Sequence, residues 1–364
     1  MDKPEKGRKK KHSDVSSAVI LAGITGMLAF GSLFTAGGKQ AARNPLWRPL
    51  LRARDNAVLE LGRDSLGNVY VTEERLLPYR EQYDSAAVTD CAGAINDFAA
   101  DAEIPVYLVA VPTSAGIYGD LLPEFAPLAN EHVLLRELSS QLSENVIWIE
   151  AESWLSTERE QYIYYRTDPC WTGYGAFCVY RTAIRKLGFN PLGYDHFIIS
   201  HFRGDYYGRL VQESGYDSVQ PDTVDLYRCD SEQPLKCVQA LRTDGAQPLK
   251  SFFLQQEAEK SGHPERVYAS NTEPVLYLET ENQNSRELLL LTDSFGGSMI
   301  PLLLQHYHSV TAVNTELAKQ QKTDWRRLVD GTGVQYTQVL VLCGADTLSN
   351  SAFSSVIRRG ISRK

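Results

Sequence analysis

Several features that would point directly to a function are missing from this 364-residue chain. Its six cysteines include no CxxC pair, so no paired-cysteine motif is available for a metal or redox centre. Acidic residues outnumber basic ones, 45 to 37, and this acidic balance argues against a nucleic-acid partner. No phosphate loop is present, because Gly38 and Lys39 are followed by Gln40 instead of Ser or Thr. We expect neither a cofactor nor a metal site.

Charged residues are also missing from residues 15–38, a run long enough to cross a bilayer, which takes about 20 apolar residues. The first eleven residues carry six basic and two acidic side chains. This order predicts a basic cytoplasmic tail (1–14), a single transmembrane helix (15–38), a linker (39–60) and an extracellular domain (61–364), in a protein of the cell membrane. Cleavage as a signal peptide near residues 35–37 is the alternative.

The remaining chain has the composition of a globular protein, with 43% hydrophobic and 23% charged residues. Apolar runs at residues 104–111, 145–150, 287–293, 309–314 and 338–343 predict strands that alternate with helices. Thr172 is placed to cap a helix that runs to about Leu187. This order predicts an α/β fold in which a parallel sheet forms the middle of three layers. Residues 210–280 show little helical period and are predicted as a β-rich or loop insertion.

The central stretch of the chain is ELLLLTDSFGGSMIPLLLQHY, residues 287–307. Its leucine run indicates a strand buried on both faces, and the glycines after Ser294 open a predicted helix. Open α/β sheets bind ligands at the carboxyl ends of their strands, and backbone N–H groups at a helix start can face an oxyanion. The alternative is an ordinary turn that uses Ser294 as a cap. Asp293 is either a second catalytic carboxylate or a residue that caps the turn.

Five sequence blocks together resemble one family. They are LGRDSLGNVYV (61–71), VYLVAVPTSAGIYGDLLPE (106–124), YYRTDPCWTGYGA (164–176), FRGDYYGRL (202–210) and TDSFGGSMIPLLLQHY (292–307). In this order they resemble the DHHW family of envelope-anchored proteins, which is similar to the SGNH-hydrolase-like O-acetyltransferase domains of alginate acetylation. The resemblance implies a permuted SGNH-like sheet, with Ser294 as the nucleophile and Asp168 as the acid that orients the base.

The chain departs from the family pattern at the position of the base. The catalytic histidine of the family falls on Cys170, its neighbouring histidine falls on Pro169, and the usual glycine before Asp-Ser is Thr292. A serine hydroxyl needs a base to accept its proton, and a thiol beside a carboxylate is a poor substitute because its pKa is raised. Loss of the base from a serine triad costs about a million-fold in turnover. The sequence therefore predicts weakened or lost catalysis.

Other residues offer alternatives to this interpretation. His201 or His196 would replace the base if a loop folded over the site, and Cys170 is either a nucleophile itself or a buried thiol. His306 and His308 make a weak metal motif and lie too far along a helix to reach Ser294. Trp171 is expected in the core, whereas Tyr206 and Tyr207 are candidates for a carbohydrate groove. Cys229 and Cys237 are close enough in sequence to form a disulfide, whereas Cys170 and Cys178 are not.

Two functions remain open. One is an envelope enzyme that moves or removes acetyl groups on a cell-surface polysaccharide, with that polysaccharide or an acetyl-donor membrane protein as its partner. The other is a non-catalytic relative that binds glycan or protein in the same cleft. Asp168 and Ser294 favour the enzyme, and Pro169, Cys170 and Thr292 favour the binding protein.

Overall fold

The computed structural model describes residues 48–62, 64–229 and 235–361. The predicted tail and transmembrane segment, residues 1–38, lie outside these ranges. Among the residues that are described, no helix is both long and apolar enough to span a bilayer. The chain divides into two units, residues 1–66 and 67–364. The described part of the first unit contains helix α1 (Arg48–Glu60) and the short strand β1 (Ser65–Leu66).

The second unit is built on an eight-stranded sheet. The strands of this unit are β2 (Val69–Val71), β3 (Leu76–Pro78), β4 (Val106–Val111), β5 (Val146–Ile149), β6 (Phe197–Tyr206), β7 (Asp222–Cys229), β8 (Cys237–Arg242), β9 (Gly245–Pro248), β10 (Val275–Glu279), β11 (Glu287–Thr292), β12 (Ser309–Asn314) and β13 (Gln338–Gly344). The large sheet has the order β5-β4-β13-β11-β12-β10-β8-β9. β2 pairs with β3, and β6 pairs with β7, outside the large sheet.

Helices cover both faces of this sheet. They are α2 (Ser85–Ala102), α3 (Ser114–Tyr118), α4 (Glu131–Ser140), α5 (Glu152–Thr157), α6 (Gly173–Lys186), α7 (Arg209–Ser214), α8 (Gln255–Ser261), α9 (Gly296–Leu303), α10 (Thr315–Gln320), α11 (Trp325–Asp330), α12 (Ala345–Leu348) and α13 (Ser351–Arg358). Alternate strand residues enter different cores: Val109 packs on the side of α6 and α9, and Leu108 on the side of α2 and α13. The central strands are therefore buried on both faces, which explains their continuous apolar sequences.

The sheet corrects one part of the sequence prediction. Five adjacent strands, from β5 to β12, are parallel, but β10, β8 and β9 add to them in antiparallel fashion. The sheet is thus parallel-rich and mixed. Residues 210–280 do contain strands, and β8, β9 and β10 extend the main sheet. β9 is exposed along its whole length, so it has no apolar run that would mark it as a strand of a central sheet.

Candidate functional site

Ser294 lies at the carboxyl end of β11, in the turn that leads into α9. Thr292 ends the strand fully buried, and its hydroxyl donates a hydrogen bond to the Leu342 carbonyl of β13 at 2.7 Å. The chain then turns so sharply that a Cβ atom on Gly296 would lie only 2.4 Å from the Thr292 hydroxyl oxygen. A glycine is required at this position, and it lets α9 start directly behind the half-buried Ser294.

Asp293 holds this turn in place. One oxygen of its buried carboxylate accepts the Phe295 N–H at 3.0 Å, and the other accepts the Gly344 N–H at 2.8 Å and the Thr347 hydroxyl at 2.7 Å. Burial raises the pKa of the Asp293 carboxyl, and the three hydrogen bonds oppose that rise. Its partners are all parts of the turn and of the neighbouring β13 segment. The structure therefore favours the capping role of Asp293 over a second catalytic carboxylate.

Asp168 lies in the loop before α6 and is also buried. One oxygen of its carboxylate accepts the Cys170 N–H at 3.0 Å, and the other accepts the Tyr206 hydroxyl at 3.1 Å and the Arg209 N–H at 2.9 Å. A carboxylate offers about four acceptor positions, so about one remains for a side chain at position 170. The loop is thus held in a shape that directs residue 170 toward Ser294.

Cys170 and Ser294 meet although 124 residues separate them in sequence: the thiol Sγ lies 3.2 Å from the serine Oγ. Burial raises the pKa of the Cys170 thiol well above its usual value, and the Asp168 carboxylate raises it further. The thiol therefore stays protonated near neutral pH and can accept no proton from the serine. The structure brings Asp168, Cys170 and Ser294 together as the sequence predicts, and their catalytic roles remain predictions.

Trp171 ties the two segments of the site to each other. Its indole N–H donates to the Phe295 carbonyl at 3.0 Å, and the two rings make an edge contact with centroids 5.3 Å apart. The indole is buried, as expected for a core residue and not for a sugar platform. Tyr206 is buried as well, with its hydroxyl on Asp168, so of the two predicted groove tyrosines only Tyr207 is open to solvent.

Two residues that the sequence did not single out support the loop. Buried Asp222 accepts the Tyr162 hydroxyl at 2.6 Å and the backbone N–H groups of Arg166 and Thr167 at 2.6 and 2.9 Å. Gly208 packs against the loop so closely that a Cβ atom there would lie 2.5 Å from the Asp168 Cβ. No local sequence pattern predicts either contact, because each joins segments about 40 to 60 residues apart.

None of the six histidines in the described part of the chain hydrogen-bonds to Ser294. Each makes a polar contact with another group, and the pairs are His132 with Glu152, His196 with Asp195, His201 with Asp225, His263 with Glu265, His306 with Tyr180 and His308 with Asn282. His306 is buried, and burial lowers the pKa of its imidazole to about 4. The structure thus gives no support to His201 or His196 as a replacement base.

The structure also gives no support to a metal site at His306 and His308 or to a disulfide at Cys237. The rings of His306 and His308 hydrogen-bond to different partners, the Tyr180 hydroxyl and the Asn282 carbonyl. Within residues 48–62, 64–229 and 235–361, no three His, Cys, Asp or Glu side chains are grouped so that they could hold a metal ion. Cys237 carries a free thiol, as do the cysteines at 91, 170, 178 and 343.

A cleft of about 460 Å³ opens beside the site. Its charged lining residues come from several parts of the chain and are Arg80, Arg209, Glu213, Glu316, Lys319 and Asp346. Two of its polar lining residues bond directly to the Ser294 turn: the Thr315 hydroxyl donates to the Thr292 carbonyl at 3.0 Å, and the Thr347 hydroxyl donates to Asp293. The cleft lies at the strand ends where open α/β sheets bind their ligands.

These elements define a three-layer α/β protein with a parallel-rich central sheet, and Asp293 and Ser294 lie at the carboxyl end of one of its central strands. The model of the DHHW protein family matches residues 54–313. The chain belongs to the DHHW family, which confirms the resemblance drawn from its sequence blocks. No curated protein sequence matches it.

Solved structures share this fold at low sequence identity. A DHHW family protein from Eubacterium siraeum DSM 15702 is 18% identical, with a TM-score of 0.63 over 82% of this chain and 100% of that one. PatB1 of Bacillus cereus, solved with a sulfonyl adduct, is 17% identical, with a TM-score of 0.64 over 78% of this chain and 97% of that one. The O-acetyltransferase domain of Pseudomonas putida AlgJ is more distant, at 13% identity and a TM-score of 0.47 over 80% and 99%.

Proposed function

We propose that this protein is an extracellular, membrane-anchored relative of cell-surface polysaccharide O-acetyltransferases and esterases, with catalysis weakened because Cys170 occupies the position of the base. Residues 15–38 would anchor it, with the N-terminus in the cytoplasm. Acylated polysaccharide would bind in the cleft beside Ser294. The partner that supplies or receives the acetyl group is a polysaccharide or an acetyl-donor membrane protein.

The contact between Cys170 and Ser294 carries this proposal. Asp168 and Trp171 hold residue 170 against the serine hydroxyl, which is the arrangement that a serine esterase would need. The group at position 170 is a thiol whose pKa is raised by burial, so it does not draw the proton from Ser294. Without a base, a serine site retains only about 10³- to 10⁴-fold catalysis over water, from binding and the oxyanion site.

The test is the substitution Cys170→His in the purified full-length chain. Asp168 has about one acceptor position left, which can orient an imidazole at position 170. We expect hydrolysis of p-nitrophenyl acetate to rise at least tenfold over the parent protein, because the serine would regain its base. The double variant Cys170→His, Ser294→Ala is the control, and it should hydrolyse the ester no faster than the parent.

A rise that persists in the double variant would mean that the new histidine acts without Ser294, and the proposed nucleophile would be wrong. If no rise occurs in a Cys170→His protein with unchanged thermal unfolding, position 170 is not the position of the base. Rapid turnover by the unmodified protein would overturn the weakened-enzyme proposal in another way, by showing that a base is already present.

The second candidate function is binding without turnover. The protonated thiol favours it, as does the lack of a hydrogen bond to Ser294 from any histidine that the structure describes, and the size of the cleft suits several sugar units. In that case the parent protein should retain acetylated polysaccharide on an affinity column, and Ser294→Ala should bind as well as the parent. An enzyme that uses Ser294 would differ by losing its residual turnover in the same variant.

A further inference from the structure

The register of two neighbouring strands brings another carboxylate, that of Glu316, to the same edge of the sheet as Ser294. β11 and β12 are parallel neighbours, with Thr292 opposite Asn314. Ser294 and Glu316 each follow two residues later, just beyond the ends of the two strands. Neighbouring strands are about 4.8 Å apart, so the two backbones leave the sheet side by side. Glu316 lies in the first turn of α10 and lines the cleft.

The connections between the two strand ends keep this arrangement fixed. The Thr315 hydroxyl, one residue before Glu316, donates to the Thr292 carbonyl at 3.0 Å. Asn314 caps α10 by accepting the Leu317 N–H at 3.0 Å, and its own amide donates to the Ser270 carbonyl at 2.7 Å. The start of α10 is thus held against the Ser294 turn by contacts on both sides.

The other charged side chains of the cleft each have a polar partner, and none of them forms an ion pair with Glu316. Arg80 pairs with Asp346 at 2.9 Å, and Arg209 pairs with Glu213 at 3.5 Å. The Lys319 ammonium donates to the Ser355 hydroxyl at 2.9 Å. In the described part of the chain no cation forms an ion pair with Glu316, so its carboxylate is available to a proton or a ligand.

The electrostatic surroundings of Glu316 suit proton transfer near neutral pH. The Glu316 side chain is exposed to solvent at the cleft, and the protein groups around it raise the pKa of its carboxyl to about 7. The charged groups that act on it are, in order of effect, Asp293 from the turn after β11, Arg209 from α7, Asp346 from α12 and Asp168 from the site loop. The three aspartates raise the pKa and Arg209 lowers it.

We propose that Glu316 is the group that accepts the proton of Ser294 in this chain, and that the proton passes through one water molecule in the cleft. This inference rests on the proposed function, because it assumes that Ser294 is the nucleophile. It assigns the residual activity of the site to a carboxylate from the neighbouring strand end instead of to residue 170.

The substrate of the proposed step is an acetyl ester. The Ser294 oxygen bonds to the acyl carbon while its proton passes through the water to the Glu316 carboxylate. The acyl carbon then expels the alcohol oxygen, which takes that proton back, so the alcohol leaves neutral and an acyl-serine remains. General bases in such positions contribute about 10²- to 10⁴-fold. A base with a pKa near 7 works once the pH rises above that value.

Labelling by phenylmethylsulfonyl fluoride tests the proposal without a known substrate. The serine oxygen bonds to sulfur, fluoride leaves, and the proton goes to the base and then to solvent. Intact mass and peptide mapping on the full-length chain follow the adduct, with Ser294→Ala as the reference for its position. The parent labelling rate should rise with pH, with a midpoint near 7. Glu316→Gln should label at least tenfold more slowly at pH 8 and lose that midpoint.

Glu257→Gln is the matched control. Glu257 is an exposed carboxylate in the first turn of α8, so the substitution makes the same chemical change in a similar helix position away from the site. It should leave both the rate and the pH profile unchanged. Glu316→Asp, which keeps the carboxylate on a shorter arm, should restore the pH midpoint and part of the rate.

The outcomes separate this inference from the proposed function. If Ser294 labels in the parent but Glu316→Gln labels within twofold of it, Ser294 stays the nucleophile and Glu316 is not its base. A parent rate that is flat between pH 5.5 and 8.5 overturns the inference even if the variant does not fold. Failure of the parent to label at Ser294, under conditions that label a serine esterase, removes the nucleophile and with it both proposals.

Discussion

Asp168 and Asp293 occupy two similar hydrogen-bond networks with different consequences. In each carboxylate, one oxygen accepts the N–H two residues further on, and the other accepts one backbone N–H and one hydroxyl. The partners of Asp293 belong to the Ser294 turn and to the β13 segment. Those of Asp168 belong to the site loop, to the end of β6 and to α7. One network closes the end of the sheet, and the other holds a loop against it.

This difference lets the site keep its shape whichever side chain stands at position 170. Asp293 fixes Ser294 through the backbone of the turn, and Asp168 fixes position 170 through its backbone N–H, whatever side chain that position carries. Under the proposed function, a cysteine in place of histidine would remove the proton acceptor and leave both networks complete. Loss of chemistry and loss of fold would then be separate, and substitutions at the two aspartates should separate them experimentally.

The largest effect on stability is expected from Asp293→Ala. The substitution leaves two buried N–H groups and the Thr347 hydroxyl without an acceptor, and each such group costs about 1–3 kcal/mol. We expect the free energy of unfolding to fall by about 4 kcal/mol, measured by urea denaturation. Asp324→Ala is the control, because that exposed carboxylate accepts only the Arg327 N–H as a helix cap. It should cost about 1 kcal/mol. Equal losses in both variants would contradict the structural role given to Asp293.

The elements behind the Asp293 network were predictable from the sequence. β4, β11, β12 and β13 are buried on both faces, so each is a continuous apolar run. The Thr172 cap was equally visible, and its side chain accepts the Gly175 N–H at 3.2 Å at the start of α6. β8 and β9 were not, because β9 is an edge strand with exposed side chains and the pairing of both strands depends on long-range register.

The Asp168 network was far less predictable. The family resemblance marked Asp168, Cys170 and Ser294 together, but no local spacing joins residues that lie 124 positions apart. Tyr206 was predicted as a groove residue and instead donates to Asp168 from the interior. Glu316 had no sequence signal at all, since its place at the same edge of the sheet as Ser294 follows from the register of β11 and β12. Long-range contacts of this kind are set by the folded sheet and not by neighbouring residues.

An intermediate effect is expected from Asp168→Asn. The amide has nearly the shape of the carboxylate but replaces one acceptor by a donor, which faces donors in the present network. We expect the free energy of unfolding to fall by about 2 kcal/mol, less than for Asp293→Ala. In the Cys170→His background the same substitution should abolish the gain in p-nitrophenyl acetate hydrolysis, because the imidazole loses the acid that orients it. A gain that survives Asp168→Asn would show that Asp168 only supports the loop.

Tyr206→Phe should have the smallest effect, since it removes a single hydrogen bond and keeps the buried ring. Asp168 would lose the 3.1 Å bond from the Tyr206 hydroxyl but retain the two backbone N–H groups. We expect a loss of about 1 kcal/mol in the free energy of unfolding, measured by urea denaturation. Tyr207→Phe, at the adjacent exposed tyrosine, is the matched control and should change stability by less than about 0.5 kcal/mol.

In the Cys170→His background, Tyr206→Phe should leave most of the regained esterase activity intact, because the Asp168 oxygen that faces position 170 keeps its hydrogen bond from the backbone N–H. Complete loss of that activity would place Tyr206 in the orientation of the base, and the Asp168 network would then serve chemistry as well as shape.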